Sequence, residues 1–315
     1  MIEPNPTNHI ASAEAWPALP FDQWRESCRT LHMWTQVVGK IRLAHAPMIN
    51  HWWQVTLYVT CRGLTTSPIP YGHRAFQIDF DFIEHRLKVH TSDGATETIP
   101  LAAYSVADFY SEVTGRLRGL GLDTRIWTMP VEIDDAIPFE QDRTHASYDS
   151  EYATLFWRVL IQVERVFTQF RSRFLGKVSP VHFFWGSFDM AVTRFSGRGA
   201  PLLAGTSPHL GAWVMQEAYS HEVSSCGFWP GDDGFGQAAF YSYTYPEPAG
   251  FADARIRPEA AFYHEGLGQF ILPYDAVRGA SSPDDYLMDF LQTTYEAAAT
   301  TGQWDRSALE RADRC

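Results

Sequence analysis

Basic residues are scarce in this sequence. Lysine and arginine together number 25 against 37 aspartates and glutamates, which gives a formal net charge of −12 over 315 residues. A phosphate backbone and an anionic bilayer surface both attract proteins through a basic face. The composition therefore argues against nucleic acid and membrane as partners, although it leaves room for local basic patches.

Long apolar runs, a signal peptide and paired cysteines are also missing. No apolar run approaches the ~20 residues of a membrane span, and the amino terminus has neither a basic start nor an apolar centre. The four cysteines are widely scattered and include no CxxC pair: Cys28, Cys61, Cys226 and Cys315. This spacing suits neither a zinc knuckle nor a disulfide framework. We therefore expect a cytoplasmic protein with reduced thiols.

The familiar catalytic fingerprints are absent as well. There is no Walker loop, no GxGxxG, no GxSxG and no Cys–His nucleophile pattern. The sequence requires no cofactor and does not indicate an oligomeric state. Aromatic residues, in contrast, are abundant: they form 15% of the chain, with 11 Trp and 21 Phe. Aromatic side chains build cores and ligand pockets, so the surplus favours a rigid protein with a pocket.

The first half of the chain predicts a helix, several strands and a second helix. Apolar residues recur at three- and four-residue spacing from Phe21 to Ile41, which is typical of a long amphipathic helix. Ser105 begins a capping box that opens the second helix, and residues 128–146 form an acidic connector. Between and after these helices, strands are predicted at residues 51–60, 75–82, 85–91, 96–101 and 123–127.

The second half repeats this order. An apolar stripe from Phe156 to Phe174 predicts a helix, and Ser282 begins another capping box that opens a helix to about Ala299. Strands are predicted between them, at residues 181–185, 188–195, 216–226, 237–245 and 260–264.

We interpret the chain as an α+β protein made of two related halves packed as one compact unit. Each half is an antiparallel sheet flanked by a long N-terminal helix and a capped C-terminal helix, and the repeated pattern indicates an internal duplication. The alternative is that such patterns recur by chance. The predicted boundaries are a loose arm, a first half and a second half, at residues 1–18, 19–135 and 136–315.

Several motifs together resemble a known family. They are LHMWTQVVGKIRLA, NHWWQV, GLTTSPIPYG, SPVHFFWGSFDMAVTRFSGR, EAYSHEVSS, YPEP and LQTTYEAA. With these motifs the chain resembles a bacterial family described only as a domain of unknown function, number 5996, from about Trp16 to Trp304. The resemblance implies a soluble bacterial protein and carries no chemistry with it.

Histidines and glutamates offer one candidate site. A strand at residues 216–226 would place Glu217 and His221 on one face and Glu222 on the other. If the strand with His182 is its neighbour, two imidazoles and a carboxylate could bind zinc and leave a position for water. The candidate metal ligands are then His182, Glu217 and His221, and the alternative is that the histidines are structural.

Two loops with arginines offer a second candidate. One carries Arg62, Thr65 and Thr66, and the other carries Arg194 and Arg198 beside glycines. Arginine forks, hydroxyls and backbone N–H groups are what a carboxylate or phosphate needs. The alternative is that the arginines pair within the protein, for example with Asp81 or Asp189.

Three functions follow from these candidates. The first is binding of a small, possibly anionic, organic molecule in an aromatic-walled pocket, with turnover left open. The second is a metal-dependent hydrolase that uses His182, His221 and a glutamate, and the third is a non-catalytic scaffold. The candidate catalytic residues are His182, Asp189, His221 and Glu222.

Overall fold

The structure is a computed structural model that describes residues 15–205 and 207–312. Its described part contains seven α-helices and two antiparallel sheets of six strands each, which confirms the predicted α+β class. None of the helices described is both long and apolar enough to cross a bilayer.

The first sheet lies between two helices in the chain. Helix α1 (Phe21–His45) precedes it and α2 (Val106–Gly119) follows it. The strands run in the order β1-β2-β4-β5-β6, and β3 pairs with β4 from the side. Their bounds are β1 (Tyr58–Thr60), β2 (Gly63–Thr65), β3 (Ile69–Tyr71), β4 (Arg74–Asp81), β5 (Arg86–Thr91) and β6 (Thr96–Pro100).

The second sheet follows α3 (Ser150–Ser172) and precedes α6 (Pro283–Thr301). Its order is β11-β12-β10-β9-β8-β7, so most neighbours in space are also neighbours in sequence. The strands are β7 (His182–Phe184), β8 (Asp189–Gly199), β9 (His221–Trp229), β10 (Ala239–Tyr245), β11 (Phe262–His264) and β12 (Gln269–Pro273). Three short helices complete this half: α4 (Ala212–Ala218), α5 (Tyr274–Arg278) and α7 (Arg306–Leu309).

Helix α1 is the central element of the core. Every residue from Thr35 to Ile41 is buried, so this part of the helix is covered on all sides. One continuous hydrophobic cluster includes side chains of both halves, among them Trp34, Phe80, Phe183 and Phe240. The two halves therefore form one compact unit, as the sequence predicts.

The two faces of the second sheet differ in chemistry. Since side chains alternate along a strand, Met190 and Val192 of β8 share a face with Phe228 and Phe240 on the neighbouring strands, and these four are fully buried. This face lies against α3 and α6. The opposite face carries small, hydroxyl-bearing and acidic side chains: Asp189, Ala191, Thr193, Ser225, Gly227, Tyr241 and Tyr243. We call it the polar face.

Three predicted strands differ from the structure. Residues 50–52 form a 3₁₀ turn in which His51 and Trp52 have positive φ of 58° and 63°, so strand β1 begins only at Tyr58. Residues 216–226 divide into the end of α4 and the start of β9, and residues 123–127 form no strand. In each segment the pattern of side chains is strand-like, but the backbone is not extended and paired along the whole segment.

The structure describes only the end of the predicted N-terminal arm, and it does not test the predicted duplication. Residues 1–14 lie outside the described part, but Trp16 is buried and contacts Phe240 and Tyr274, so the end of the arm is packed rather than loose. The half boundaries and the duplication stay predictions.

Candidate functional site

A cavity of about 1670 Å³ lies between the polar face, helix α1 and the loops around residues 125–135 and 207–219. It is larger than most small-molecule pockets, which measure roughly 300–1,000 Å³. Its walls are rich in indole rings, namely those of Trp52, Trp53, Trp127, Trp185, Trp213 and Trp229. Such walls suit a ligand with an apolar or aromatic body.

Small residues of the polar face form the floor of the cavity. Ala191 and Gly227 are directly opposite each other on β8 and β9, and Thr193 is opposite Ser225 with its Oγ1 2.8 Å from the serine Oγ. A side chain on Gly227 would overlap the Tyr241 ring, which occupies the space above this glycine. The cavity therefore reaches the sheet at Ala191, Thr193 and Ser225, which line it.

Asp189 is the first polar group on this floor. It is buried at the start of β8, where its Oδ1 accepts a hydrogen bond of 2.5 Å from the Ser187 hydroxyl and its Oδ2 accepts one from the Tyr241 hydroxyl. Burial raises the pKa of this carboxyl, and the two hydrogen bonds oppose the rise. The geometry therefore supplies two donors to a carboxylate that faces a mostly apolar space.

Glu132 is a second carboxyl in the same cavity. Its backbone has a positive φ of 61°, and its N–H donates to the Pro208 carbonyl at 2.8 Å. The carboxylate packs on Gly186, where any side chain would overlap it. Enclosure by the cavity walls raises the pKa of Glu132 to about 7, with the charge of Asp189 as the second cause. The residue is exposed on the cavity side, so solvent entering the cavity moderates this shift.

Helix α1 positions both carboxyls. The loop between β7 and β8 lies against this helix and the segment that follows it. The Gly186 carbonyl is 2.8 Å from His32 Nε2 of α1, and Trp185 Nε1 donates to the carbonyl of Val55, beyond the helix, at 2.7 Å. The Gln36 side chain bonds both the N–H and the carbonyl of Val131, at 2.9 Å each, and so fixes the backbone next to Glu132. One helix therefore supports the two segments that carry the carboxyls.

Three tyrosines add further polar groups to the cavity floor. The hydroxyls of Tyr219 and Tyr243 are 2.8 Å apart, and the ring of Tyr243 stacks on that of Tyr241 with centroids 6.0 Å apart. Burial raises the pKa of all three phenols. They therefore stay protonated at neutral pH and can donate or accept hydrogen bonds.

Lys40 of α1 supplies a cationic group to the wall. The residue is only 4% exposed, and its Nζ lies 4.8 Å from the ring centroid of Trp127 and 5.9 Å from that of Trp185. Within residues 15–205 and 207–312, its amine has no hydrogen bond or ion pair. Burial lowers the pKa of Lys40 to about 8.

Two of the histidines that line the cavity, His182 and His51, have lowered pKa values. His182 is 1% exposed, neither of its ring nitrogens has a hydrogen-bond partner among the described residues, and burial lowers its pKa to about 3. His51 lies with Nδ1 3.0 Å from the Ala218 carbonyl and Nε2 2.6 Å from Lys177 Nζ. Since the ammonium group donates to Nε2, the proton of the neutral ring is on Nδ1.

A comparison with known proteins places the chain in a family. The model of a family of unknown function, DUF5996, matches residues 16–311. The chain belongs to this family. No curated protein and no solved structure matches the chain. The family assignment confirms the resemblance seen in the sequence motifs. The cavity is the candidate functional site of this DUF5996 member.

Of the predicted site residues, His182 and Asp189 line the cavity. The predicted anion-binding side chains lie elsewhere and bind within the protein. Arg62 Nε donates to Asp81 at 2.7 Å, and Arg198 Nε donates to Glu222 at 2.8 Å. Arg194 is buried over the Phe170 ring, with its guanidinium carbon 3.5 Å from the centroid.

The two predicted threonines complete the local structure of their loop. Thr65 Oγ1 accepts from the Ser67 N–H at 3.0 Å, and Thr66 Oγ1 accepts from the Ile78 N–H at 3.0 Å. The two threonines and the arginines thus bond to groups within the protein, which was the alternative to an anion site.

The predicted metal ligands do not come together. Strand β8 lies between β7, which carries His182, and β9, which carries His221, and Glu217 belongs to helix α4 rather than to a strand. The ring near His221 is that of His51, with centroids 5.6 Å apart. Throughout the described ranges, no group of three or more His, Cys, Asp or Glu residues could hold a metal ion.

Sequence reasoning missed Glu132, Lys40 and Tyr241. Glu132 is in a segment interpreted as a connector, and its role depends on the backbone contacts of its neighbours with α1 and the 207–219 loop. Lys40 belongs to an amphipathic helix pattern in which a lysine is normally solvated. Tyr241 is itself buried, like Phe240 and Ser242 beside it, and its pairing with Gly227 places it on the cavity face.

Proposed function

We propose that this protein binds a small organic molecule in the cavity, with Glu132 and Asp189 binding the polar end of the ligand. The ligand class is an aromatic or apolar body that carries a hydrogen-bond donor, such as an amine or a hydroxyl. The observation that supports this proposal is the pair of carboxyls inside a cavity whose walls are indole rings. Indole faces also favour a cationic amine.

The negative charge of the two carboxyls favours a cationic or neutral ligand over an anion. The arginines predicted for an anion site are outside the cavity and are already paired or buried. A ligand carboxylate or phosphate next to Glu132 and Asp189 would be repelled by like charge in a region of reduced dielectric. A protonated amine or a neutral hydroxyl would instead give each carboxyl a donor.

The same pair supports proton transfer on the ligand. Because burial, with the charge of Asp189 as the second cause, raises the pKa of Glu132 to about 7, Glu132 changes protonation state near neutral pH. A group with such a pKa is suited to act as a general acid or base. Asp189 is held in position by hydrogen bonds from Ser187 and Tyr241, so it would orient the ligand rather than exchange a proton with it.

Three ligands that share one aromatic body test the proposal. Phenethylamine, phenethyl alcohol and phenylacetate differ only in the polar end, and binding is measured as a shift in melting temperature and by calorimetry. We expect the amine to stabilise the protein most and the carboxylate least. Glu132→Gln should weaken amine binding by roughly tenfold, which corresponds to loss of a charge-assisted hydrogen bond of ~1.4 kcal/mol.

Glu259→Gln is the matched control, because Glu259 is exposed and does not line the cavity. Tighter binding of phenylacetate than of phenethylamine, or equal amine binding by the wild type and Glu132→Gln, would contradict the proposal.

The cytoplasm is the proposed location. The thiols of Cys28, Cys61 and Cys226 are all free, which agrees with a reducing compartment.

A further inference from the structure

Lys40 is the one lysine whose amine has no polar partner in the described part of the chain. The sequence contains only three lysines, Lys40, Lys88 and Lys177. Lys88 Nζ lies 2.8 Å from Asp81 and 2.9 Å from Glu84, and Lys177 donates to His51 at 2.6 Å. The chain uses arginine for nearly all its other cations, and arginine would provide the same contact with indole faces. A lysine at this position therefore indicates a role that needs an amine.

We propose that Lys40 is a nucleophilic amine that forms an imine with an aldehyde or ketone bound in the cavity. This inference rests on the proposed function, because it names the carbonyl as a second feature of the ligand.

The position of the amine is fixed by rigid elements. Lys40 is on the fully buried part of α1, next to Gly39, whose missing side chain makes room for the Trp185 indole. Trp127 covers the amine from the other side and is itself 60% exposed, so it lies at the mouth of the cavity. A carbonyl compound that enters between the indoles would meet the amine before it reaches the floor.

The environment favours both the neutral amine and the cationic product. A lysine desolvated in an apolar pocket, without a carboxylate partner, is a stronger nucleophile at neutral pH than an exposed one. With a pKa of about 8 against roughly 10.4 for an ordinary lysine, its neutral fraction at pH 7 is about 200-fold larger. The iminium ion carries a positive charge at the same place, where the Trp127 and Trp185 faces stabilise a cation.

The reaction balances without an oxidant or a reductant. The lone pair of the neutral amine forms a C–N bond to the carbonyl carbon, and the C=O π electrons move to oxygen. Proton transfer from nitrogen to that oxygen gives a carbinolamine. The C–O bond then breaks, and the oxygen leaves as water with the second proton from nitrogen. The net change is amine plus carbonyl to imine plus water.

Reductive trapping tests this step. The protein is incubated at pH 7 with benzaldehyde and sodium cyanoborohydride, which converts an imine to a stable secondary amine, and each modified residue is located by peptide mass mapping. We expect Lys40 to be modified at least tenfold faster than Lys88. The α-amino group, whose usual pKa is about 8, serves as an internal reference for an amine of similar pKa.

Two variants sharpen the test. Lys40→Arg keeps a cation between the indoles but cannot form an imine, so the fast modification should disappear while the melting temperature is retained. Lys88→Arg keeps the ion pairs with Asp81 and Glu84 and should leave the fast modification unchanged. Oxidised dextran, an aldehyde polymer too large for the cavity, should label the α-amino group and spare Lys40.

Two results would overturn the inference. One is modification of Lys40 no faster than of Lys88 in the wild type, which the peptide map shows even if the variants do not fold. The other is equal labelling of Lys40 by benzaldehyde and by the polymer. If either is found while amine binding still depends on Glu132, the carbonyl chemistry fails and the binding function stands.

Discussion

Replacing Gly39 with alanine should destabilise this protein, although the same change in an ordinary helix stabilises. Gly39 lies inside α1, and a methyl group added there would be within 3.0 Å of three atoms of the Trp185 indole ring. Trp185 is 5% exposed and donates a 2.7 Å hydrogen bond to the Val55 carbonyl. The methyl group and the indole cannot both keep their places.

The expected magnitude follows from three opposing effects. Forcing extra volume into a packed core costs about 1–3 kcal/mol, and loss of the Trp185 hydrogen bond costs about 0.5–1.5 kcal/mol. Alanine regains roughly 1 kcal/mol of helix propensity over glycine. We therefore expect the free energy of unfolding to fall by about 1–3 kcal/mol in Gly39→Ala.

Gly115→Ala provides the matched control. Gly115 is also inside a helix, α2, but it is exposed and no atom lies within 4 Å of the added methyl group. Here only the propensity effect remains, so the variant should gain about 0.5–1 kcal/mol. Urea unfolding followed by tryptophan fluorescence and by circular dichroism measures both. Equal stabilisation by the two substitutions would refute the packing of Trp185 on α1.

Two further predictions concern carboxyls whose pKa values are shifted in opposite directions. Burial alone would raise the pKa of Asp81, but hydrogen bonds from Arg62, Lys88 and two backbone N–H groups lower it well below its usual range. Asp81→Asn should cost about 2–3 kcal/mol at pH 7. Urea titrations should show this difference beginning to shrink below about pH 4 and disappearing only as the pH falls through the lower pKa that Asp81 has in the folded state. Glu132 has a raised pKa of about 7, so its contribution to stability is present below about pH 4 and is lost as the pH rises to 7. Melting temperatures across this range should decline less steeply in Glu132→Gln, and an unchanged slope would contradict the enclosure of Glu132.

Local patterns predicted the helices and hairpins well, because their signals are local. The stripe from Phe21 to Ile41 lies in α1, and Ser105 caps α2 through a 3.2 Å hydrogen bond from the Asp108 N–H. The hairpin of β5 and β6 also has nearly its predicted bounds. At these places the spacing of apolar residues and the turn residues determine the backbone directly.

The site was harder to predict, because its geometry depends on contacts between distant segments. Gln36 bonds Val131 across 95 positions in the chain, and Tyr241 bonds Asp189 across 52. Asp189 was among the predicted catalytic candidates, with an arginine named only as an alternative partner, and the donors in the structure are Ser187 and Tyr241. The strand predicted from residue 51 begins instead with a turn, in which His51 and Trp52 have positive φ. The pattern of side chains does not reveal φ, so the sequence could not show this turn.

The attachment of the β7–β8 loop to α1 makes the two halves energetically inseparable. Each half supplies a wall that the other needs: α1 would lose the cover of Trp185, and the loop would lose the bonds of Gly186 and Trp185 to the first half. Loss of either sheet would therefore open the cavity. We expect the two sheets to unfold together, and a ligand bound at Glu132 to stabilise both of them.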